Sequence, residues 1–276
     1  MTLRINTNVA SLNAQRNLYN TTMKLNKSLE RLSSGLRINR AGDDAAGLAI
    51  SESLKSDIRA LEQSSRNAAD GISMVQVAEG AMSEVSDILI RMRELAQQAA
   101  NETLGASERG YLDDEFQTLE AEINRISDFT EFNGSNLLDG TDTAAREIQV
   151  GLVATDVITI DFTDDIDSTG LGINADVLTG ADNTNASAAI ANIEAAISDL
   201  SSYRAGYGAS QNRLESAVRS INNAVENLSA ANSRIRDVDI AAETSSMTSY
   251  QILQQAGVSV LMQANMTPQM ALMLLQ

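Results

Sequence analysis

Residues 54–96, LKSDIRALEQSSRNAADGISMVQVAEGAMSEVSDILIRMRELA, carry an apolar side chain at every seventh position, and this repeat decides the fold. The seven positions are Leu54, Leu61, Ala68, Val75, Met82, Leu89 and Ala96. A strict seven-residue repeat keeps these side chains on one stripe of a helix, and such a stripe needs a partner helix. No proline interrupts residues 45–100. The pattern therefore predicts one continuous helix of roughly 80 Å, at about 1.5 Å per residue.

A second apolar seam of the same length lies near the other end of the chain. It consists of Ile193, Leu200, Tyr207, Leu214, Ile221, Leu228 and Ile235. Because the two seams match in length, they are predicted to pair as antiparallel rods, with Leu54 near Ile235 and Ala96 near Ile193. The predicted fold class is mainly α: a long antiparallel α-helical rod, or coiled-coil bundle, with one small β-hairpin.

The segment before the first seam is expected to form a shorter helix over residues 3–36. Its apolar stripe contains Leu18, Leu25 and Leu32. Gly35 suits the left-handed residue that follows a helix, because it has no Cβ. Asp43 or Asp44 suits the N-cap of the long helix, where a carboxylate accepts hydrogen bonds from free N–H groups.

Between the seams the hydrophobic pattern changes twice. The long helix is expected to fray near residues 101–110, and a third helix follows with alternating spacings of four and three residues. Its apolar positions are Leu112, Phe116, Leu119, Ile123 and Ile126. Residues 132–136 are a turn-rich run. Residues 146–163 then alternate with period two, which predicts a β-hairpin with its turn near residues 154–156. The alternating side chains are Ile148, Val150, Leu152, Ile158, Ile160 and Phe162.

The residue types that are missing exclude several kinds of chemistry. The chain of 276 residues has no cysteine, no histidine and a single proline. It therefore has no disulfide framework, and it lacks the commonest general base and metal ligand. An enzyme that works with carboxylates alone stays as an alternative, but no cluster of carboxylates on a loop stands out. Neither catalytic residues nor a cofactor are predicted.

One acidic segment matches part of a calcium-binding template. Asp165, Asp167, Thr169, Gly170 and Asp176 fall at positions 1, 3, 5, 6 and 12 of that template. The bidentate glutamate that is usual at the last position is absent, and no helix is predicted on either side. A solvated surface loop without a metal is the preferred interpretation, and calcium is the alternative.

Charge is distributed unevenly along the chain. The net charge is −17, although residues 1–40 contain seven basic side chains and Glu30 as the single acidic one. The acidic body repels phosphate, so nucleic acid is not an expected partner. Neither a secretory leader nor a membrane-spanning stretch is expected. The chain is expected to be cytosolic or to leave the cell uncleaved by another route.

The last segment, residues 244–276, contains no charged residue. Its apolar side chains include Leu253, Val260, Leu274 and five methionines. A charge-free, methionine-rich amphipathic end is expected to be buried against another chain. The same expectation holds for the apolar stripe of residues 3–36, since neither segment shows a core of its own.

These patterns predict three domains. Residues 1–43 with 237–276 form a terminal coiled-coil domain, and residues 44–140 with 182–236 form a helical rod domain. Residues 141–181 form the β-hairpin and a short variable insert.

Four stretches closely resemble the conserved ends of bacterial flagellin. They are LRINTNVASLNA from Leu3, LERLSSGLRINRAGDDAAGLAI from Leu29, AANSRI from Ala230 and LQQA from Leu253. The resemblance covers residues 1 to about 140 and 185–276. Many flagellins carry outer domains in the middle, where this chain has only about 45 residues. The resemblance therefore indicates a short flagellin with a smooth filament surface.

The resemblance implies a structural subunit of the flagellar filament, a self-assembling helical homopolymer used as a propeller for swimming, and no enzymatic activity. The terminal segments would form the inner coiled-coil layer, with assembly residues at Leu18, Leu25, Leu32, Leu253, Val260 and Leu274. Implied partners are the flagellar export apparatus, a flagellin chaperone, the filament cap and hook-associated proteins. The implied location is secreted and extracellular, in the flagellum filament.

The resemblance also implies recognition by a host Toll-like receptor that senses flagellin. The segment that this receptor contacts in the family resembles residues 90–96, IRMRELA. Arg91, Leu95 and Glu115 match the positions that matter most for the contact. Ile90 and Met92 depart from the glutamine and valine that are commoner there.

Two alternative functions accompany this interpretation. A hook–filament junction protein shares related terminal segments and belongs to the same structural class. An exported membrane-active effector, acting through the methionine-rich tail, belongs to a different class. Vesicle leakage by the monomer would support the effector, and fibre growth from seeds would support flagellin.

Overall fold

A computed structural model describes residues 7–140, 145–180 and 183–273 of the chain, and most of these are helical. The helices are α1 (Val9–Ser34), α2 (Ala45–Ala99), α3 (Ala106–Phe129), α4 (Thr184–Arg236) and α5 (Ile240–Met273). The strands are β1 (Glu131–Phe132), β2 (Ser135–Asn136), β3 (Arg146–Gln149) and β4 (Val157–Ile160). The predicted mainly α class is confirmed, with two hairpins in place of one. None of these described helices is long and apolar enough to span a membrane.

The chain divides into two compact units. The terminal unit comprises Met1–Ser56 and Asn227–Gln276, and the central unit comprises residues 57–226. The long helices α2 and α4 each contribute to both units. The central unit is described first.

The core of the central unit lies along the two predicted seams. Buried seam residues are Leu61, Ala68, Val75, Met82, Leu89 and Ala96 on α2, and Ile193, Leu200, Tyr207, Leu214 and Ile221 on α4. An ion pair joins Arg93 to Glu194, and another joins Arg204 to Glu79 at 3.8 Å. Arg93, which comes later in α2 than Glu79, is paired with the earlier residue of α4, so the two helices run in opposite directions. The antiparallel pairing of the two rods is confirmed.

The hairpin of β3 and β4 packs on this helix pair. Its register places Ile148 opposite Ile158 and Arg146 opposite Ile160. A Cβ at Gly71 would lie 3.2 Å from Ile148 Cγ1 and 3.3 Å from Leu214 Cδ1, so the absence of a side chain there lets the hairpin approach the rods. The predicted hairpin is confirmed, but its first strand is shorter than predicted, because Leu152 is exposed beyond the end of β3.

The second hairpin was predicted only as a turn. β1 and β2 are joined by Asn133 and Gly134, whose φ angles of 54° and 76° are the left-handed pair of a tight hairpin turn. An Asn-Gly pair between two short strands is the strongest local signal for this turn. The flanking strands have only two residues each, which is too short to show an alternating pattern.

The break between α2 and α3 is shorter than the predicted fray at residues 101–110. α3 already begins at Ala106, and Arg109 is buried within its first turn. Its guanidinium donates to the carbonyl oxygens of Ala99 at 3.0 Å, Asn101 at 3.4 Å and Gly180 at 3.3 Å. Arg109 therefore satisfies free carbonyls at the C-terminal end of α2.

The segment predicted as a solvated surface loop is instead packed into the core, so that interpretation is wrong. Its buried apolar side chains are Ile166, Leu171, Ile173 and Leu178. Polar side chains of α3 bind its backbone: Asp113 accepts from the N–H of Leu178 at 2.7 Å, and Asn124 accepts from the N–H of Ser168 at 2.7 Å. The segment thus covers α3, although its content of Asp, Thr and Gly is typical of a solvent-exposed loop.

A charge in the seam tests the core. Leu214→Asp replaces a fully buried side chain by an unpaired charge, and we expect the free energy of unfolding to fall by at least about 3 kcal/mol. Ser216→Asp adds the same charge at an exposed position two residues away and is expected to cost less than about 0.5 kcal/mol. Denaturant unfolding followed by circular dichroism measures both, and equal losses would contradict the seam assignment.

Candidate assembly site

The terminal unit is built on α1 and α5, which pack against each other along their length. Polar pairs between them include Asn8–Ala264, Ser11–Asn265, Thr22–Gln254, Ser28–Glu243 and Arg31–Glu243. This order shows that the helices are antiparallel. A Cβ at Gly257 would lie 3.3 Å from Leu18 Cδ1, so the two backbones approach closely. The expectation that both ends lack a partner within the chain is therefore wrong, because each end is the other's partner.

Caps are present at both ends of α1 and at the start of α2. Asn8 accepts the N–H of Ser11 at the start of α1, and Gly35 ends it with φ of 71° and an N–H bonded to Arg31. At the start of α2, the Asp44 carboxylate accepts the N–H of Gly47 at 2.8 Å. The predicted left-handed glycine and the predicted aspartate cap are confirmed.

The segments that follow α1 and α4 are bonded to each other. The N–H of Arg37 donates to the Arg236 carbonyl at 2.6 Å, and the N–H of Val238 donates to the Gly35 carbonyl at 3.0 Å. The Arg37 guanidinium also reaches the Ile235 carbonyl at 2.6 Å. We call this pairing of residues 35–37 with 235–238 the clasp.

An ion pair fixes the loop beside the clasp. Lys27 Nζ lies 2.6 Å from Asp43 Oδ1, and the other carboxylate oxygen accepts the N–H groups of Asn39 and Arg40, both at 3.2 Å. The hydrogen bond from Lys27 is the largest cause that lowers the pKa of Asp43 to about 2, with the two backbone N–H groups adding to it. The loop therefore keeps its negative charge well into the acidic range.

The predicted assembly residues occupy two different environments. On α1, Leu25 is buried and Leu18 and Leu32 are half-buried, on the face that also carries the contacts to α5. On α5, Leu253 and Val260 are 54% and 53% exposed. Leu274 lies outside the described residues. The leucines of α1 therefore support the helix pair, whereas the α5 residues face away from the chain.

The free apolar surface of the terminal unit is larger than the sequence pattern indicated. On α1 it comprises Val9, Leu12, Tyr19, Met23 and Leu29; on α5 it comprises Ile240, Ile252, Leu253, Val258, Val260, Met262 and Met266. A large exposed apolar surface that no other part of the described chain covers is typical of an interaction site. The α1 members lie off the Leu18–Leu25–Leu32 stripe, so this stripe did not predict them.

The predicted receptor residues are brought together on α2 and α3. Arg91 Nη2 lies 2.8 Å from Glu115 Oε1, and its Nη1 lies 3.0 Å from Glu94 Oε2. The Arg91 and Glu115 side chains are each about half exposed, and Glu115 is the main cause that raises the pKa of Arg91. Leu95 is only 1% exposed. Arg91 and Glu115 form an accessible charged pair, and Leu95 lies in the core beneath it.

The acidic side chains of residues 165–176 are not arranged as a calcium-binding loop requires. Among residues 7–140, 145–180 and 183–273, no three acidic side chains converge to hold a metal ion. The Asp167 carboxylate accepts the N–H groups of Thr169 and Gly170 at 2.6 and 2.7 Å. Asp176 is buried and accepts from the Asn192 amide at 2.8 Å. Asp167 therefore stabilises a turn of the segment, and Asp176 connects the segment to α4.

Comparison with known proteins identifies the family. Residues 5–143 match the family model of the bacterial flagellin N-terminal helical region, and residues 190–275 match that of the C-terminal helical region. The chain belongs to the bacterial flagellin family. It is 49% identical to a flagellin of Halalkalibacterium halodurans, with 99% of each chain covered. It is 44% identical to a flagellin of Bacillus subtilis, covering 99% of this chain and 100% of the relative.

Solved structures agree with this assignment. A crystal structure of Bacillus cereus flagellin matches with a TM-score of 0.51 at 33% identity, covering 60% of this chain and 94% of the other. A putative flagellar hook-associated protein from Vibrio parahaemolyticus matches with a TM-score of 0.56, covering 71% and 100%, at 16% identity. The second likeness concerns the fold alone. Flagellin is the structural subunit of the flagellar filament, so the chain is a structural protein and not an enzyme.

The loop ion pair gives a test of the terminal unit. In Lys27→Gln, the Asp43 carboxylate loses its main partner, and we expect its pKa to rise from about 2 towards its ordinary value of 3.8. Because the folded-state pKa is depressed, the pair's contribution to stability is complete above that ordinary value and is lost as pH falls through about 2. Carbon NMR titration of the carboxylates measures the shift. Lys24→Gln, an exposed lysine one turn earlier, is the control, and an equal shift there would refute the assignment.

Proposed function

We propose that the subunit polymerises through the outward apolar faces of α1 and α5 after these two helices have paired within one chain. The observation that carries this proposal is the combination of a formed helix pair with exposed Leu253, Val260 and Met262. Burial of such side chains against a neighbouring subunit is worth roughly 2 kcal/mol each. On this proposal Leu18, Leu25 and Leu32 act indirectly, because they hold α1 against α5.

The proposed domain division follows this assembly. Residues 1–43 with 237–276 form the inner coiled-coil layer, and residues 44–140 with 182–236 form the surrounding rod. The insert at residues 141–181, which includes the β3–β4 hairpin, is the variable part. The clasp supports a boundary here, since it lies where α1 and α4 end.

The proposed partners before assembly are the flagellar export apparatus and a flagellin chaperone. An uncharged apolar face on α5 supports a chaperone there, because such a face aggregates unless it is covered. The absence of cysteine suits a chain that passes from a reducing to an oxidising compartment. The filament cap and hook-associated proteins are the proposed partners at the two ends of the extracellular filament.

A host Toll-like receptor is a further proposed partner, supported by the accessible Arg91–Glu115 pair. An arginine and a carboxylate, each half exposed, present both charge signs to a partner. Leu95 is buried, so we assign it the role of holding this part of α2 in place and not a direct contact. Ile90, which is half exposed beside Arg91, adds apolar surface.

A charge on the outer face of α5 tests the assembly proposal. Val260→Asp is expected to slow seeded filament growth at least tenfold, because an unpaired charge would have to be buried between subunits. The circular dichroism of the monomer is expected to stay unchanged, since Val260 is 53% exposed. Gln251→Asp puts the same charge at an exposed polar position of α5 and is expected to have a smaller effect.

Electron microscopy after seeding decides the outcome. Normal filaments from Val260→Asp would refute the proposed contact. Leakage of lipid vesicles by the wild-type monomer, with no fibre growth, would instead support the membrane-active alternative. Growth only as short caps on existing filaments would support the junction-protein alternative.

Charge reversal tests the receptor proposal. Arg91→Glu is expected to lower activation of receptor-bearing reporter cells at least tenfold, a loss of about 1.4 kcal/mol. The control is Arg93→Glu, two residues from Arg91, which reverses an arginine that is paired with Glu194. It is expected to lower receptor activation less than threefold. Combining Arg91→Glu with Glu115→Arg restores an ion pair with reversed charges. If this double variant recovers activation, the pair acts only on the local structure, and direct contact is refuted.

A further inference from the structure

The central unit contains a pocket that none of the roles above uses. It has a volume of about 290 Å³ and lies between the end of β4 and one face of α4. Asp161 and Asp164 line one side, and Tyr203, Gly206 and Tyr207 line the other. The pocket therefore joins carboxylates and aromatic rings in one concavity.

Tyr207 is the unusual member of this pocket. The residue is 3% exposed, and its hydroxyl has no hydrogen-bond partner within the described structure. The ring stacks on Phe162 at 5.2 Å between centroids, which fixes its orientation. A buried hydroxyl without a partner is unfavourable, and native structures rarely leave one unless another molecule or water binds it. The hydroxyl oxygen is therefore available to accept a hydrogen bond from a group bound in the pocket.

The charge around this hydroxyl is negative. Burial raises the pKa of the Tyr207 hydroxyl, and the nearby Asp164 and Asp161 carboxylates raise it further. Burial, together with the charge of Asp161, also raises the pKa of Asp164. Neither aspartate belongs to an ion pair among the described residues, which leaves a local negative potential without compensation. Carboxylates beside aromatic rings form a favourable environment for an organic cation.

We propose that this pocket binds a guanidinium or alkylammonium group, supplied in the filament by an arginine or lysine side chain of a neighbouring subunit. The cation would donate hydrogen bonds to Asp161, Asp164 and the Tyr207 oxygen. The net charge favours this source, because the central unit contains thirty acidic and ten basic side chains. Two copies that pack through their central units repel each other, because both units are negatively charged, unless basic side chains lie between them. The filament function is used here only to identify the source of the cation.

Two glycines of α4 provide matched variants. A Cβ at Gly206 or at Gly208 would meet no atom within 4 Å, and alanine favours a helix over glycine. Both variants are therefore expected to fold. Gly206→Ala places a methyl group in the pocket, whereas Gly208 does not line it.

Calorimetric titration of the full-chain monomer with propylguanidinium tests the pocket. We expect saturable binding at one site, weakened at least tenfold by Gly206→Ala and by Tyr207→Phe and unchanged by Gly208→Ala. Tyr207→Phe is also expected to raise the melting temperature of the free protein, since it removes an unpartnered hydroxyl. The uncharged propylurea is expected not to bind. Absence of propylguanidinium binding, or equal binding by Gly206→Ala and wild type, would overturn the pocket.

Seeded polymerisation tests the source of the cation. Gly206→Ala and Asp164→Asn are expected to raise the critical concentration for growth at least threefold, with Gly208→Ala and the exposed Asp128→Asn unchanged. If the monomer binds propylguanidinium but all four variants polymerise alike, a neighbouring subunit is not the source. Failure of the wild-type chain itself to grow from seeds would contradict the filament function and leave the titration result standing.

Discussion

Burial of one apolar seam between α2 and α4 is the interaction on which the central unit depends. Val75, Met82 and Leu89 are completely buried, and only nine residues of the whole chain are aromatic, so the core is long and thin. The third helix, the β3–β4 hairpin and the insert pack against this helix pair, and their apolar side chains extend the same core. Gly71 shows how close this packing is, since any side chain there would displace Ile148.

The terminal unit is stabilised differently. Its two helices are long and regular, yet they meet along a narrow face where polar pairs such as Ser11–Asn265 and Ser28–Glu243 are as prominent as apolar contacts. Much of their apolar surface stays outside. A helix pair that is formed but incompletely covered suits a subunit that is transported before it is assembled. The two helices are ordered within one chain, and on the assembly proposal other chains complete the burial of their apolar surface.

Periodic features were predictable from the sequence, and long-range polar contacts were not. The heptads predicted α2, α4 and their direction, and single residues such as Gly35 and Asp44 predicted the helix ends. The two ends were grouped in one coiled-coil domain, but the contacts of α1 with α5 within one chain were not predicted, because the uncharged tail suggested an external partner and amide contacts such as Asn8–Ala264 have no spacing to detect. The buried insert was missed for the same reason. Leu95 was placed at a contact surface by resemblance alone, although it directly precedes seam residue Ala96 and shares its buried side.

The clasp has a mechanical consequence. A filament that turns against a viscous liquid loads its subunits, and the chain passes twice through the region where α1 and α4 end. Because the backbones of Arg37 and Val238 are bonded across to Arg236 and Gly35, either segment can extend away from the other only if these hydrogen bonds break. The two bonded segments of the clasp share the tension and are expected to open together, as a cooperative unit of structure does. Extension of either segment of the clasp therefore requires hydrogen bonds to the other segment to break, which a single unpaired linker would not require.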